Sequence, residues 1–361
     1  MYYRIADVTL RSEIDLPSFA AFACEETAPD VTLTVTEETA PPGREIVSGS
    51  ILHRVLPDGW FCHRRQSGEE GLFISRDGAR LRYTFRGTAP RAYSAERYVR
   101  LALECLLARR GYMSVHAAAV ELDGEACLFT GPSGVGKSTR ARLWTEFLGA
   151  RLLSGDRPLV KVDTLEVFGV PWDGKEQCFR NVRLPLSALC EVRRSKTLRV
   201  RRLSPHQARS LLVRQCFLPM WDTETAVLQM RNILRFSENA PVLRAFSGRT
   251  PAEAGRLRRI IRDASYLGEG IDMKAKPGFT LRQLAGEYVL MPTDSNIGVY
   301  NGAVLLNSVS AFVWEKLQDD LAREDLLALV MDEFEVDEAT AAKDLDALLD
   351  KLEELDLIQR T

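Results

Sequence analysis

Gly131-Pro132-Ser133-Gly134-Val135-Gly136-Lys137-Ser138-Thr139 sets the architecture of the middle of the chain. The run matches G-x-x-x-x-G-K-[ST], in which glycines let successive backbone N–H groups turn inward around phosphate oxygens while the next helix directs its positive end at them. In that reading Lys137 reaches the β- and γ-phosphates of ATP or GTP, Ser138 offers its hydroxyl to Mg²⁺, and Gly131 to Thr139 together form the nucleotide-binding set. The flanks agree. Residues 126–130 are strand-like, and residues 137–148 contain no breaker, place Ala141, Trp144 and Leu148 on one side and stop at Gly149, a natural C-terminal cap.

Working outward, residues 114–120 and 126–130 read as a hairpin about Asp123-Gly124, and residues 151–153, 159–162 and 167–170 as further strands. This β-loop-α-β order predicts an α/β nucleotide-binding core. Residues 1–95 read as a β-rich region, with strands at 31–36, 60–62, 71–75 and 81–85; a helical pattern starts near Ser94. Residues 203–263 are mostly helical in pattern. The stretch GEGIDMKAKPG at 268–278 lacks periodicity and reads as a linker. Beyond it come three strands, at 279–284, 287–291 and 302–306, then three helices, at 310–317, 322–334 and 337–355. The last helix carries Ala341, Leu345, Leu348, Leu352 and Leu355 on one stripe. The expected domains are therefore 1–95, 96–267 with the phosphate loop, a linker at 268–278, and a small β-then-α module at 279–361.

A length of 361 residues fits two or three domains. With 45% hydrophobic residues, 27% charged residues and a net charge of -2, the composition excludes a general nucleic-acid or membrane coat. Seven cysteines, with no C-x-x-C pair, read as small hydrophobes of a reducing compartment. Residues 1–16 lack the layout of a signal peptide, and no run of about 18 uncharged apolar residues exists. A cytoplasmic location is expected.

Phosphoryl transfer needs a held metal and an oriented nucleophile, so an acid is sought near the loop. Asp156, just past the apolar strand at 151–153, is the candidate metal ligand and base; the alternative is a turn Asp before Arg157-Pro158. His116 precedes the loop by fifteen residues and is either a participant or a hydrogen-bonded core residue. Lys175 and Arg180 lie in the segment 169–183 and serve either as a clamp on phosphoryl charge or in a surface turn. The basic run RRSKTLRVRR at 193–202 reads as a solvated face, with an acidic-peptide groove as the other reading.

Taken in order, Val115-His116, GPSGVGKST and LLSGDRPLV resemble the kinase domain of the HPr serine kinase/phosphatase family, which is similar in its phosphate-loop core to ATP-dependent phosphoenolpyruvate carboxykinases. The resemblance covers about residues 110–265 and implies a P-loop kinase core of HPr-kinase type, with His116 and Asp156 around the transferred phosphate. One departure is that Gly155 stands where the family usually has a second acid. FTLRQLAGEYVLMP, VLLNSVSAFVWEKL and LDKLEELDLI resemble PqqD-like modules. That resemblance implies a winged-helix-like module in which the leader of a precursor peptide adds a strand, with Ala303, Val304, Leu345 and Leu348 as the groove. Together the resemblances imply an ATP-dependent, Mg²⁺-dependent peptide kinase. A small-molecule kinase acting, for example, on free serine, and an ATP-binding adaptor serving other enzymes of a peptide-modification pathway, are the alternatives; oligomeric state is left open.

Overall fold

The computed structural model describes residues 1–38, 41–48, 51–64, 70–85, 92–172, 176–195, 198–248, 250–262, 272–284, 286–293 and 303–360. The chain divides into two compact units: Met1–Val192 with Ala208–Val242 and Arg249–Arg262, and Arg193–Gln207 with Leu243–Gly248 and Asp263–Thr361.

In the first unit, strands β1 (Tyr2–Ile5), β2 (Val8–Ser12), β3 (Val31–Thr36), β4 (Arg44–Ser48), β5 (Ile51–Leu56), β6 (Gly59–Arg64), β7 (Gly71–Ser75) and β8 (Arg80–Thr84) form one sheet. Its order is β1-β2-β3-β8-β7-β6-β5-β4. Strands β1, β2, β4 and β5 escaped the sequence reading because each is short and interrupted by Arg, Glu or His. Helix α1 (Ala92–Arg109) packs on β7 and β8. Its Leu103 and Leu107 share one apolar core with Leu33, Leu81 and Tyr83 of the sheet and with Tyr112, Leu159 and Trp221 from beyond it. The expected boundary at 95/96 therefore does not separate compact bodies: the helix that opens the second segment fills the core of the first.

The loop is carried by β9 (Tyr112–Ser114), β10 (Ala117–Leu122), β11 (Glu125–Thr130), α2 (Lys137–Leu148), β12 (Arg151–Ser154), β13 (Leu159–Lys161), β14 (Glu166–Phe168) and β15 (Arg183–Arg194). These strands lie in the order β12-β10-β11-β15-β14-β13-β9. The chain expected as one strand over 114–120 breaks at Val115-His116, so that β9 and β10 go to different parts of the sheet. The twelve-residue β15, which runs parallel to β11, was not foreseen. Helix α2 lies over β10, β11 and β12, and Trp144 packs edge-on to Phe129 with ring centroids 5.1 Å apart.

There follow β16 (Arg199–Arg202), α3 (Pro205–Gln215), α4 (Thr223–Asn239), β17 (Val242–Ser247) and α5 (Pro251–Arg262). In the second unit β16 pairs antiparallel with β17. Part of the expected linker is a strand: β18 (Asp272–Ala275) pairs with β22 (Leu321–Ala322) and β23 (Ile358–Arg360), while 263–271 lie outside the described residues. Between them come β19 (Phe279–Leu284), β20 (Glu287–Pro292), β21 (Val304–Leu306), α6 (Ser308–Lys316), α7 (Arg323–Glu333) and α8 (Glu338–Glu354). The Asn307 and Asp337 side chains cap α6 and α8 by accepting from the backbone N–H groups of Ser310 and Thr340. Leu290, Leu306, Trp314, Leu326, Leu345, Leu349 and Leu352 close the core.

Several arginines of the basic run are engaged within the second unit rather than left to solvent. Arg201 Nε donates to Asp325 Oδ2 at 2.8 Å, and Arg244 of β17 lies 4.0 Å from the same oxygen; the three side chains are 11%, 3% and 4% exposed. Arg193 pairs with Asp319 at 3.0 Å, and Arg199 donates to the Glu324 carbonyl. These arginines hold the start of α7, where Asp325 also accepts the Ala322 N–H. The second unit thus includes ribbon strands that the sequence reading assigned to the kinase domain.

Candidate functional site

The loop is shaped by its glycines. Gly131, Gly134 and Gly136 have φ of 139°, 79° and 114°, values that L side chains rarely adopt. A Cβ on Gly131 would also meet Val135 Cγ1 at 3.1 Å and the Val192 carbonyl oxygen at 3.3 Å. Gly136 precedes α2 and no side chain caps that helix, so the first N–H groups of α2 stay directed at the loop. At the other end Gly149, with φ 71°, stops α2 by donating to the Trp144 carbonyl. Lys137 Nζ donates to the carbonyls of Gly131 at 3.0 Å and Pro132 at 3.2 Å, folding its ammonium back across the loop. Ser138 is exposed on the first turn.

His116 sits at the break before β10. The antiparallel register pairs Ala117 with Thr130, which sets His116 beside the first loop glycine despite fifteen residues of separation. Thr130 Oγ1 donates to the His116 carbonyl at 2.9 Å, and His116 N–H donates to the Gln215 carbonyl at 2.7 Å. Asp156 enters from the end of β12: Val115 N–H donates to the Pro158 carbonyl at 3.2 Å, and the Asp156 carbonyl accepts from Ser154 Oγ at 2.9 Å. Burial lowers the pKa of Lys137, opposed by the Asp156 charge. Burial, followed by the Lys137 charge, lowers that of His116, and again Asp156 opposes. Loop, His116 and Asp156, supplied by three separate elements, thus share one electrostatic neighbourhood.

One expected clamp residue, Arg180, is not brought there. Arg180 donates to Glu121 Oε2 at 2.7 Å and to the Leu152 carbonyl at 2.9 Å, and it is the first cause of the lowered Glu121 pKa. Glu121 is four residues along β10 from Ala117, about 13 Å at strand rise, on the side away from the loop. Arg180 is therefore an ion-pair residue of β10. Lys175 lies outside the described residues.

Glu191 was missed. It is 1% exposed on β15, and its register partner is Thr130, the residue before Gly131. P-loop NTPases hold Mg²⁺ with an acid from outside the loop, which makes Glu191 a second candidate beside Asp156. The signal lay in Leu184, Leu186, Ala188 and Cys190, alternating with period two before an acid. Among the described residues no cluster of three His, Cys, Asp or Glu side chains is arranged to hold a metal by itself.

The second unit carries a separate groove of about 450 Å³ between α6, α7 and α8. Leu345 and Leu348 line it with Val309, Val313 and Phe334; Ala303 and Val304 do not. Leu348 is half-buried on the groove, and Leu349 takes the core position. Leu355, expected on the buried stripe, is 38% exposed. Val304 belongs to β21, which stands at the end of the sheet order β19-β20-β21 and so keeps a free strand edge among the described residues. Leu305 on that edge is 68% exposed.

The family model described as coenzyme PQQ synthesis protein D (PqqD) matches residues 287–358. Among solved structures, TbiB1 in complex with the TbiA(beta) leader peptide is similar at 21% identity, covering 24% of this chain and 94% of that one, with a TM-score of 0.21. A lasso peptide synthetase B1 complexed with the leader peptide is similar at 23% identity over 24% and 96% of the two chains, also with a TM-score of 0.21. No curated protein matches the chain. Among the described residues no helix is long and apolar enough to cross a membrane.

Proposed function

We propose that this protein transfers the γ-phosphoryl group of ATP, or of GTP, to a Ser or Thr hydroxyl of a ribosomally made precursor peptide whose leader binds the PqqD-like part of the second unit. The observation that carries the reading is the convergence of Lys137, His116 and Asp156, from three different elements, on a glycine-built loop at the uncapped start of α2. Residues Gly131 to Thr139 would hold the triphosphate, and Ser138 with Asp156 the Mg²⁺ ion. Glu191 is a second acid close to the same loop.

Bound there, the magnesium nucleotide supplies the phosphoryl group and neutralises its charge. The residues of the chain do the rest. Lys137, partly desolvated, leaves the loop carbonyls to stabilise charge growing between the β- and γ-phosphates, where an ammonium out of water acts most strongly. Asp156 orients the acceptor hydroxyl and takes its proton as the new P–O bond forms and the bond to the nucleoside diphosphate breaks. His116, held neutral by burial and by Lys137, adds a hydrogen bond without adding charge. In the second unit the free edge of β21 and the neighbouring groove suit an extended leader that adds a strand and sets apolar side chains against Leu345 and Leu348.

The test is transfer from labelled ATP to a candidate precursor peptide. Loss of transfer in both Lys137→Ala and Asp156→Asn, with peptide binding retained, is expected. An unchanged rate in either variant refutes the mechanism.

A further inference from the structure

The loop accounts for a triphosphate tail and for nothing beyond it. Next to it lies a cavity of about 340 Å³, and Ser138 and Thr139 belong to its wall as well as to the loop. Anything attached to a phosphate chain on the loop therefore has a continuous path into this space.

The lining is that of a site for a flat heterocycle. Ala118 of β10 and Ala141 of α2 are 1% and 2% exposed and, with Leu152 of β12, give an apolar floor of mostly small side chains. A planar ring can lie on such a floor, whereas larger side chains there would fill it. The rim is polar and carries both signs. Arg142 stands on the outer face of α2, its Nε 3.7 Å from Glu146 Oε1, and Glu176 also lines the cavity. A carboxylate only accepts hydrogen bonds, so Glu176 selects a ring edge that donates.

We propose that this cavity seats the nucleoside of the triphosphate, with an amino-bearing purine on the Ala118, Ala141 and Leu152 floor and its N–H edge toward Glu176. The assignment rests on the phosphate-loop reading above and extends it to the part of the nucleotide that the loop does not touch.

Calorimetry with the full chain and Mg²⁺ tests it, using ATP, GTP, UTP and inorganic tripolyphosphate as probes. The wild type should bind ATP or GTP at least tenfold more tightly than tripolyphosphate, and UTP, which has no exocyclic amine, less tightly than the preferred purine. Thr145→Trp, which places an indole in the cavity from the outer face of α2, and Glu176→Ala, a change at an exposed residue, should each weaken purine nucleotide binding about tenfold. Both should leave tripolyphosphate binding within a factor of two. Equal affinities of the wild type for ATP, GTP and tripolyphosphate would overturn the assignment. So would variants that raise the KM for the acceptor peptide while sparing the nucleotide, which would make the cavity an acceptor site. No binding of any probe, tripolyphosphate included, would defeat the phosphate-loop reading itself, and this inference with it.

Discussion

Residues 131–139 and the groove of the second unit present different chemistry to their surroundings. In the loop the groups that set the surface are backbone, shaped by three glycines at positive φ and by a helix start that no side chain caps. In the groove they are side chains, Val309, Phe334, Leu345 and Leu348, fixed by packing on a core that contains Trp314 and Leu349. A backbone device is written in a contiguous string whose every letter has a conformational reason. A packed surface is assembled from positions far apart in the chain, each of which tolerates several apolar residues. The first kind is readable from sequence; the second is readable only in outline.

The largest effect that would sharpen this contrast lies in the support of the groove. Asp325→Ala removes the carboxylate that Arg201 and Arg244 share, which should cost the second unit about 3–5 kcal/mol in denaturant unfolding followed by Trp314 fluorescence, with Mg²⁺-nucleotide binding preserved. An unchanged midpoint would mean that the ribbon arginines do not hold α7. Next comes the loop: Lys137→Ala should slow phosphoryl transfer by about 10²–10³-fold while peptide affinity stays the same. Equal losses of transfer and of peptide binding would dissolve the distinction between the two regions.

A smaller effect is expected at the groove surface. Leu348→Asp puts a charge on a half-buried apolar wall and should weaken leader binding by roughly 1–2 kcal/mol, read by fluorescence anisotropy, with little change in stability because Leu349 holds the core. The smallest concerns pH. Burial and Lys137 keep the pKa of His116 below the ordinary value of 6.5. Below about that pH the unfolded chain takes up a proton that the native chain resists, so this contribution is complete above the window and is lost as pH falls through it. The melting temperature of His116→Asn should therefore drop less than that of the wild type between about pH 7 and pH 5.5. Parallel drops would exclude a role for His116 in the acid response.

Some of the site was legible at the level of single residues. Gly149 as the end of α2 needed no neighbours to be read, whereas α6 starts at Ser308 on an Asn307 cap, two residues before its expected start at 310. Asp156 and His116 could be nominated but not joined, because their proximity comes from the register of β10 against β11 and β12. Arg180 failed for the same reason: composition offered a cation and the sheet assigned it to Glu121. Glu191 was overlooked because Pro185 interrupts the first half of β15, and a proline weakens a strand reading.

By itself the sequence determined the phosphate-loop backbone, the helix that follows it, and the order of three strands and three helices in the last eighty residues, though not the short β22 and β23 among them. Each depends on short-range conformational preference, which is encoded within a few positions. Tertiary structure alone decided which side chains meet: the ion-paired ribbon on α7, the acid beside Thr130, and the cavity shared by Ser138 and Leu152. Those are contacts between residues on separate elements of the chain, and only the sheet register and the packing of α2 and α7 bring them together.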